Sequence, residues 1–306
     1  MATPSEPTRG TDAARRGRRG GTRPVRRAAA GRRTFTSTLK TLEALASSGA
    51  QVSVHVADLD GGSVVVAGDD FTSVPIAGLG VVPLLIELAA RFESGALSPL
   101  EIVERSSLEP VTVSGVWRHL LAPALPLSDL AVLAASAGDA LAANALLSRV
   151  GLPAVRARID ALGLTRSAVM DSFRDQRGPD DAPHVAVGSA REYAQLFAAL
   201  VNAEAVSPAV SAQVSEWLSF GHDLSLVASA TGLDPFGHDD DEHGLLFVNK
   251  TGRASGIRAE AGVLAGPRAG IAYALFVCFD DLSIAHRLRA HDAFRTLGTE
   301  LMEFVF

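Results

Sequence analysis

The stretch Pro75–Leu85, "PIAGLGVVPLL", has the form of a tight turn that opens a helix. A small apolar segment leads into Gly78 and Gly80, and a long apolar run follows them. Several hydrolases present a nucleophilic side chain at such a strand–turn–helix junction. Here the turn itself offers only glycines, so the residues around it must show whether a reactive group has been replaced.

The elements that flank this stretch alternate in type. Before it, the apolar spacing predicts one amphipathic helix that buries Phe35, Leu39, Leu42 and Ala46. The segment "QVSVHVADLDGGSVVVAGDD" then predicts a β-hairpin, since alternating valines flank an Asp-Gly-Gly turn. From Val81 to about Val201 helices dominate, with Gly95 and Gly151 as helix stops.

The chain returns to strands near its end. "GLLFVNKTG", "IRAEAGVLAG" and "AGIAYALFVCFDD" predict three strands, and the last 24 residues predict a closing helix. The short turns between these strands favour antiparallel pairing. The order predicts an α/β (α+β) fold: a five-stranded antiparallel sheet flanked by the two terminal helices, plus an inserted all-α region.

Composition divides the chain into two parts. Residues 1–33 contain ten arginines and two acidic residues, whereas the whole chain of 306 residues has a net charge of −6. Because residues 1–33 have almost no large apolar side chains, they are expected to form a disordered basic tail. Residues 34–306 are expected to form one domain, with 34–71 and about 216–306 as the α/β part and about 72–215 as the inserted, mostly α part.

Charge and hydropathy also limit partners and location. The basic tail leaves open an arm for nucleic acid or another acidic partner, although the rest of the chain is acidic and makes nucleic-acid binding unlikely. No run is long enough to predict a membrane span. The cytoplasm is the expected location; the alternative is export through the weak twin-arginine-like segment at Arg32 and Arg33, which Lys40 and Glu43 interrupt. The single cysteine, Cys278, excludes an internal disulfide.

Three stretches carry a family resemblance. They are the turn at Gly78, the run Gly138-Asp139-Ala140 followed by "LAANALL", and Lys250-Thr251-Gly252 at the end of a predicted strand. In these stretches and in its element order, the chain resembles the class A β-lactamase and penicillin-binding family of serine hydrolases over about residues 34–306. The composition, rich in Ala, Arg and Gly, suggests the actinobacterial type.

The resemblance implies that reactive side chains have been replaced. The family's Ser-x-x-Lys aligns with Gly78 and Val81, so the nucleophile and the general base are missing. Its Ser-Asp-Asn aligns with Gly138, Asp139 and Ala140, of which only the aspartate is kept. The segment "DSFRDQRGPDDAPHVAVGS" contains no glutamate to activate a deacylating water.

The third family motif, Lys-Thr-Gly, is intact in this sequence. In the family, the Lys-Thr-Gly strand offers positive charge and a hydroxyl to the ligand carboxylate, roles that fall here on Lys250 and Thr251, while the strand backbone, at Gly252, contributes to the oxyanion site. Arg258 is a candidate second cationic contact, and Asp139 is expected to help fix its loop beside the ligand. The alternative interpretation of Lys250-Thr251-Gly252 is a solvated strand end.

Two other sequence patterns do not predict a functional site. Ser37-Thr38-Leu39-Lys40 is a literal Ser-x-x-Lys, but it lies on the first helix, before the hairpin. The run "GHDDDEHG" has consecutive carboxylates and no common zinc spacing, so it predicts a hydrated loop and no metal site.

These features predict a catalytically impaired pseudoenzyme that binds a small carboxylate-bearing ligand related to β-lactams or peptidoglycan peptides, without a cofactor. One alternative is a residual or unconventional β-lactam or ester hydrolase. Another is a structural scaffold that binds a partner. The oligomeric state stays open.

Overall fold

Eight helices and ten strands make up the described part of the chain, which in this computed structural model is residues 35–237 and 244–306. The helices are α1 (Thr36–Ser47), α2 (Val81–Glu93), α3 (Leu127–Ser136), α4 (Ala140–Val150), α5 (Leu152–Ala161), α6 (Ala190–Val201), α7 (Pro208–Ser219) and α8 (Ile284–Val305). The strands are β1 (Gln51–Asp58), β2 (Val64–Gly68), β3 (Val74–Pro75), β4 (Ile102–Glu104), β5 (Ala124–Pro126), β6 (Ala168–Val169), β7 (Ala186–Gly188), β8 (Leu246–Ala254), β9 (Ile257–Ala265) and β10 (Gly270–Cys278).

The main sheet has the order β2-β1-β10-β9-β8, and all its neighbours are antiparallel. It joins the amino-terminal hairpin to the three carboxy-terminal strands, which confirms the predicted five-stranded sheet. β10 is the central strand and is buried along nearly its whole length, as expected of a strand with both faces covered.

Each face of the sheet has its own hydrophobic core. On one face, α1 and α8 cover sheet residues such as Val54 and Leu275, and Phe294 of α8 lies in the same cluster. On the other face, the inserted helices cover Ala261, Val263 and Phe276. The terminal helices and the inserted helices therefore lie on opposite faces, and residues Phe35–Phe306 form one compact unit.

The buried face of α1 differs from the prediction. Phe35 and Leu42 are buried as expected, but Leu39 is 50% exposed and Ala46 is exposed. The buried positions within the helix are Thr38, Leu42 and Leu45, at the spacing of one helical face. Phe35 precedes the first helical residue, so it does not share the angular position that a continuous helix would give it.

Within the region where helices were predicted to dominate, residues 126–151 form two helices. α3 ends at Ser136 and α4 begins at Ala140, because Gly138 adopts a φ of 59° that ends helical geometry. Gly95 and Gly151 follow the ends of α2 and α4 with positive φ, which confirms both as helix stops. Every helix in the described part of the chain is too short or too polar to span a bilayer.

Candidate functional site

The turn that opens α2 lies directly against β8. Ala77–Gly80 form a single 3₁₀ turn, and α2 follows at Val81. A β-carbon on Gly252 would overlap the carbonyl oxygen of Ile76, so only glycine allows the turn to approach the strand this closely. Ala77 has a φ of 47°, a strained conformation for a residue other than glycine.

Gly78 stands on this turn where the family's serine is expected. A β-carbon built on Gly78 would lie 3.5 Å from the Thr251 carbonyl oxygen, so a side chain here would begin beside β8. Glycine supplies no atom that can attack a carbonyl carbon. Val81, one turn later, is buried and equally unreactive.

Gly138 joins the same cluster from the loop between α3 and α4. A β-carbon built on Gly138 would lie 3.6 Å from Lys250 Nζ. The structure therefore brings the Gly78 turn, the Gly138 loop and β8 together, although they are far apart in the sequence. Ala140 begins α4 and is fully buried.

Asp139 holds the Gly138 loop in place. Its Oδ1 accepts a hydrogen bond from the Ala142 amide at 2.9 Å, which caps α4. Its Oδ2 accepts from the amides of Val116 and Trp117, both at 2.7 Å. With the side chain 1% exposed and both oxygens engaged, Asp139 fixes the loop and presents no free oxygen to a ligand.

Lys250 is a buried cation at the centre of the cluster. The residue is 5% exposed, and within the described chain its ammonium makes no hydrogen bond and no ion pair shorter than 4 Å. Burial lowers the pKa of Lys250 to about 8, and the negative charge of Asp223 partly opposes that shift. A solvated strand end does not describe this lysine.

The Thr251 hydroxyl, expected to meet the ligand, binds a carboxylate of the chain itself. It donates to Asp223 Oδ2 at 2.7 Å. Asp223 Oδ1 accepts from the Arg253 guanidinium, also at 2.7 Å, and from the Ser225 hydroxyl. Although burial opposes it, these hydrogen bonds and the charge of Arg253 lower the pKa of Asp223. Asp223 thus remains an anion beside Lys250.

Arg258 lies farther along the sheet. It pairs with Arg253 in the β8–β9 register, whereas Lys250 pairs with Ala261. Its guanidinium donates to the carbonyl oxygens of Ala254 and Ile257 at 3.0 and 2.7 Å. The structure therefore ties Arg258 to the β8–β9 turn, three register positions away from Lys250.

Asn144 and Asp171 lie near the Gly78 turn, a placement that the sequence did not reveal. They line a small cavity beside Val81 together with Phe173. The Asn144 side-chain amide bonds to both the amide and the carbonyl oxygen of Phe173, at 2.8 and 2.9 Å, so α4 holds this loop. Asn144 sits within "LAANALL", but nothing in that run indicates a partner 29 residues away.

Asp171 is the acidic group nearest to this cavity, yet it is bound to arginines. It forms ion pairs with Arg174 and Arg177 at 3.0 and 2.8 Å. Burial opposes the shift, but hydrogen bonds from Arg174, the Ser172 amide and Arg177 lower the pKa of Asp171. A carboxylate held in this way is a poor general base.

The Ser37-Thr38-Leu39-Lys40 pattern lies on a different element from Lys250. Ser37 and Lys40 are on α1, where they line a groove with Arg289 and Asp292 of α8. Residues 1–34 and 238–243, which hold the basic tail and most of the acidic run, lie outside the described residues.

Solved structures show the same architecture. A β-lactamase from Sphaerobacter thermophilus matches with a TM-score of 0.75 and 20% identity over 89% of this chain and 97% of that one. PBP-A matches with a TM-score of 0.71 and 16% identity over 88% and 95% of the two chains. A class A β-lactamase from Mycobacterium abscessus matches with a TM-score of 0.70 and 17% identity over 87% and 99%. At these identities the likeness defines a β-lactamase/transpeptidase-like fold.

The family follows from the sequence match. A family model described as the beta-lactamase enzyme family matches residues 34–305, so the chain belongs to that family. This confirms the resemblance carried by Lys250-Thr251-Gly252 and the element order. The comparison with curated proteins gives no match.

Proposed function

We propose that this protein binds a small carboxylate-bearing ligand, related to β-lactams or peptidoglycan peptides, without hydrolysing it. The observation that carries the proposal is Lys250: the residue is only 5% exposed, and the described residues offer its ammonium no hydrogen-bond partner. Because burial disfavours the ammonium form of Lys250, an anionic partner that reaches its nitrogen would stabilise that form. An incoming carboxylate supplies that partner through a charge-assisted hydrogen bond.

The absence of hydrolysis rests on four positions at once. Gly78 and Val81 offer neither nucleophile nor base, and Gly138 and Ala140 offer neither proton relay nor amide contact. Loss of a serine nucleophile alone lowers the rate of acyl transfer by a factor on the order of a million. Because the Thr251 hydroxyl already donates a hydrogen bond to Asp223, the ligand carboxylate is held mainly by Lys250.

A thermal-shift experiment tests the binding. The melting temperature is measured with a panel of penicillins and D-alanyl-D-alanine peptides. We expect at least one compound to raise it, because a ligand at a hundredfold excess over its Kd stabilises the folded state by about 2.7 kcal/mol. The Lys250→Ala variant should lose most of this shift, and Lys40→Ala, on the exposed side of α1, should keep it.

Two results would contradict the binding proposal. One is a panel in which no compound changes the melting temperature of the wild-type protein. The other is a shift of equal size in the wild-type protein and in a folded Lys250→Ala variant. Either result would favour the structural scaffold that binds a partner.

A further inference from the structure

The end of the β8–β9 hairpin meets the first half of α8 at four basic side chains. Arg253 and Arg258 are partners in the β8–β9 register. Arg258 Nε lies 3.4 Å from His291 Nε2 of α8. Arg287 precedes His291 by four residues, so both lie on the same face of that helix. These four residues, the basic cluster, therefore gather at the contact between hairpin and helix.

The hairpin fixes the orientation of the Arg258 guanidinium. Its Nη1 donates to the carbonyl oxygens of Ala254 and Ile257, at 3.0 and 2.7 Å, and its Nε donates to His291 Nε2. Because this ring nitrogen accepts a hydrogen bond, it carries no proton and His291 is uncharged. Nη2 of Arg258 makes no hydrogen bond to any described residue, so one side of a held guanidinium keeps its donors.

The other two arginines are open to solvent. Arg287 is exposed, and its side chain has neither a hydrogen bond nor an ion pair within the described residues. The Arg253 side chain is 45% exposed. Its Nη2 donates to Asp223 and to the Ser225 hydroxyl, while its Nε and Nη1 bind no described residue. A ligand in solution can therefore reach unused donors on both side chains.

The basic cluster has an excess of positive charge. Its three guanidinium groups face one ion-paired carboxylate in the described chain, that of Asp223, although the whole chain has a net charge of −6. Burial, and then the charges of Arg253 and Arg287, lower the pKa of Arg258, and Asp223 opposes the shift. Burial and the three guanidinium charges likewise lower the pKa of His291. The like charges repel one another, and a bound anion would relieve this repulsion.

We propose that the basic cluster binds the phosphate group of a small soluble phosphomonoester. Such a group carries about −1.5 to −2 charges at pH 7 and three strong acceptor oxygens, which suits three guanidinium groups and one carboxylate. A carboxylate brings one charge and two oxygens. The planar fork of an arginine donates two parallel hydrogen bonds to phosphate oxygens.

This site goes beyond the carboxylate site proposed at Lys250. Arg258 lies three register positions from Lys250 along the β8–β9 pair and contacts α8. The phosphate site uses exposed arginines and needs no access to the buried lysine. Loss of either kind of binding would therefore leave the other proposal standing.

Calorimetric titration of the full-length protein with ethyl phosphate at low ionic strength tests the proposal. We expect Arg287→Gln to weaken binding at least about tenfold, because it removes charge-assisted hydrogen bonds. Arg289→Gln is the matched control: it makes the same charge change two residues later on α8, on a side chain that lines the groove facing α1. This control should bind ethyl phosphate within about twofold of wild type.

Arg258→Gln should also weaken binding, and circular dichroism checks its folding, since Arg258 holds the hairpin turn. Arg287 has no such contacts, so its variant keeps the test valid if Arg258→Gln unfolds. The ten arginines in residues 1–33 are the same in every variant, so differences between variants report on the basic cluster.

Four results would overturn the proposal. They are no binding of ethyl phosphate to wild type, equal weakening by Arg287→Gln and Arg289→Gln, propionate binding as tight as ethyl phosphate binding, and binding only to vesicles that contain phosphatidic acid. The second would show general attraction to positive charge, and the third a site without preference for phosphate. The fourth would assign the cluster to a lipid surface in place of a soluble ligand.

Discussion

Two glycines at the site play different structural roles. Gly138 needs its left-handed φ of 59°, whereas Gly78 lies outside that region and has ordinary van der Waals room for a β-carbon. We expect Gly138→Ala to lower the free energy of unfolding by about 1 kcal/mol. Gly78→Ala should be neutral or stabilising by up to about 1 kcal/mol, because alanine restricts the unfolded chain. Urea unfolding of the two variants measures both changes.

A loss of stability in Gly78→Ala as large as in Gly138→Ala would contradict the placement of the turn against β8. The residues of the candidate site differ in how far the sequence predicts them. Lys250 was identifiable because Lys250-Thr251-Gly252 matches the family's Lys-Thr-Gly next to a predicted strand. Asp223 was not, because its contact with Thr251 joins residues 28 apart and no short spacing encodes that contact.

The buried Glu260 links three elements of the α/β part. From β9 it accepts hydrogen bonds from Asn249 of β8 at 2.8 Å, Tyr273 of β10 at 2.7 Å and the Val227 amide at 2.7 Å. Burial raises the pKa of Glu260 to about 7, and these hydrogen bonds oppose the shift. The folded protein therefore holds a proton that the unfolded chain releases above the ordinary glutamate pKa of 4.5.

The sign of the pH dependence follows from this proton. Stability contributed by protonated Glu260 is complete below pH 4.5 and is lost as the pH rises through about 7, by ~1.4 kcal/mol for each unit of pKa shift. Glu260→Gln has no such proton, so the stability difference between wild type and variant should change across this pH window. Urea unfolding at pH 4.5, 6 and 7.5 measures it. A constant difference would show that Glu260 titrates normally.

Element boundaries were harder to predict than element types. The spacing of apolar residues predicted the first helix, which the structure forms over Thr36–Ser47, but it did not predict correctly which face is buried, because that depends on a partner distant in the sequence. Glu300 of α8 accepts hydrogen bonds from the amides of Ser37 and Thr38, and this contact fixes the start of α1. Likewise, the break between α3 and α4 depends on Asp139 capping a helix after a turn at Gly138.

At the scale of the whole molecule, the order of elements was predictable and the site was only partly so. The predicted order is a helix, a hairpin, inserted helices, three strands and a closing helix. Few arrangements of these elements bury both apolar faces of one sheet, and the structure has the predicted one, with the terminal helices on one face and the inserted helices on the other. The convergence of Gly78, Gly138 and Lys250 followed from the family resemblance. The ion pairs of Asp171 and the Asn144–Phe173 contact required the folded structure.

The proposal that this protein performs no acyl transfer is tested most directly by intact-protein mass spectrometry after incubation with excess reactive penicillin reporter. An active class A β-lactamase treated in parallel is the positive control. With no hydroxyl at Gly78 and no amine at Val81, the protein should keep its unmodified mass and hydrolyse a chromogenic cephalosporin no faster than buffer. A stoichiometric reporter adduct, or cephalosporin turnover abolished by one substitution, would contradict it.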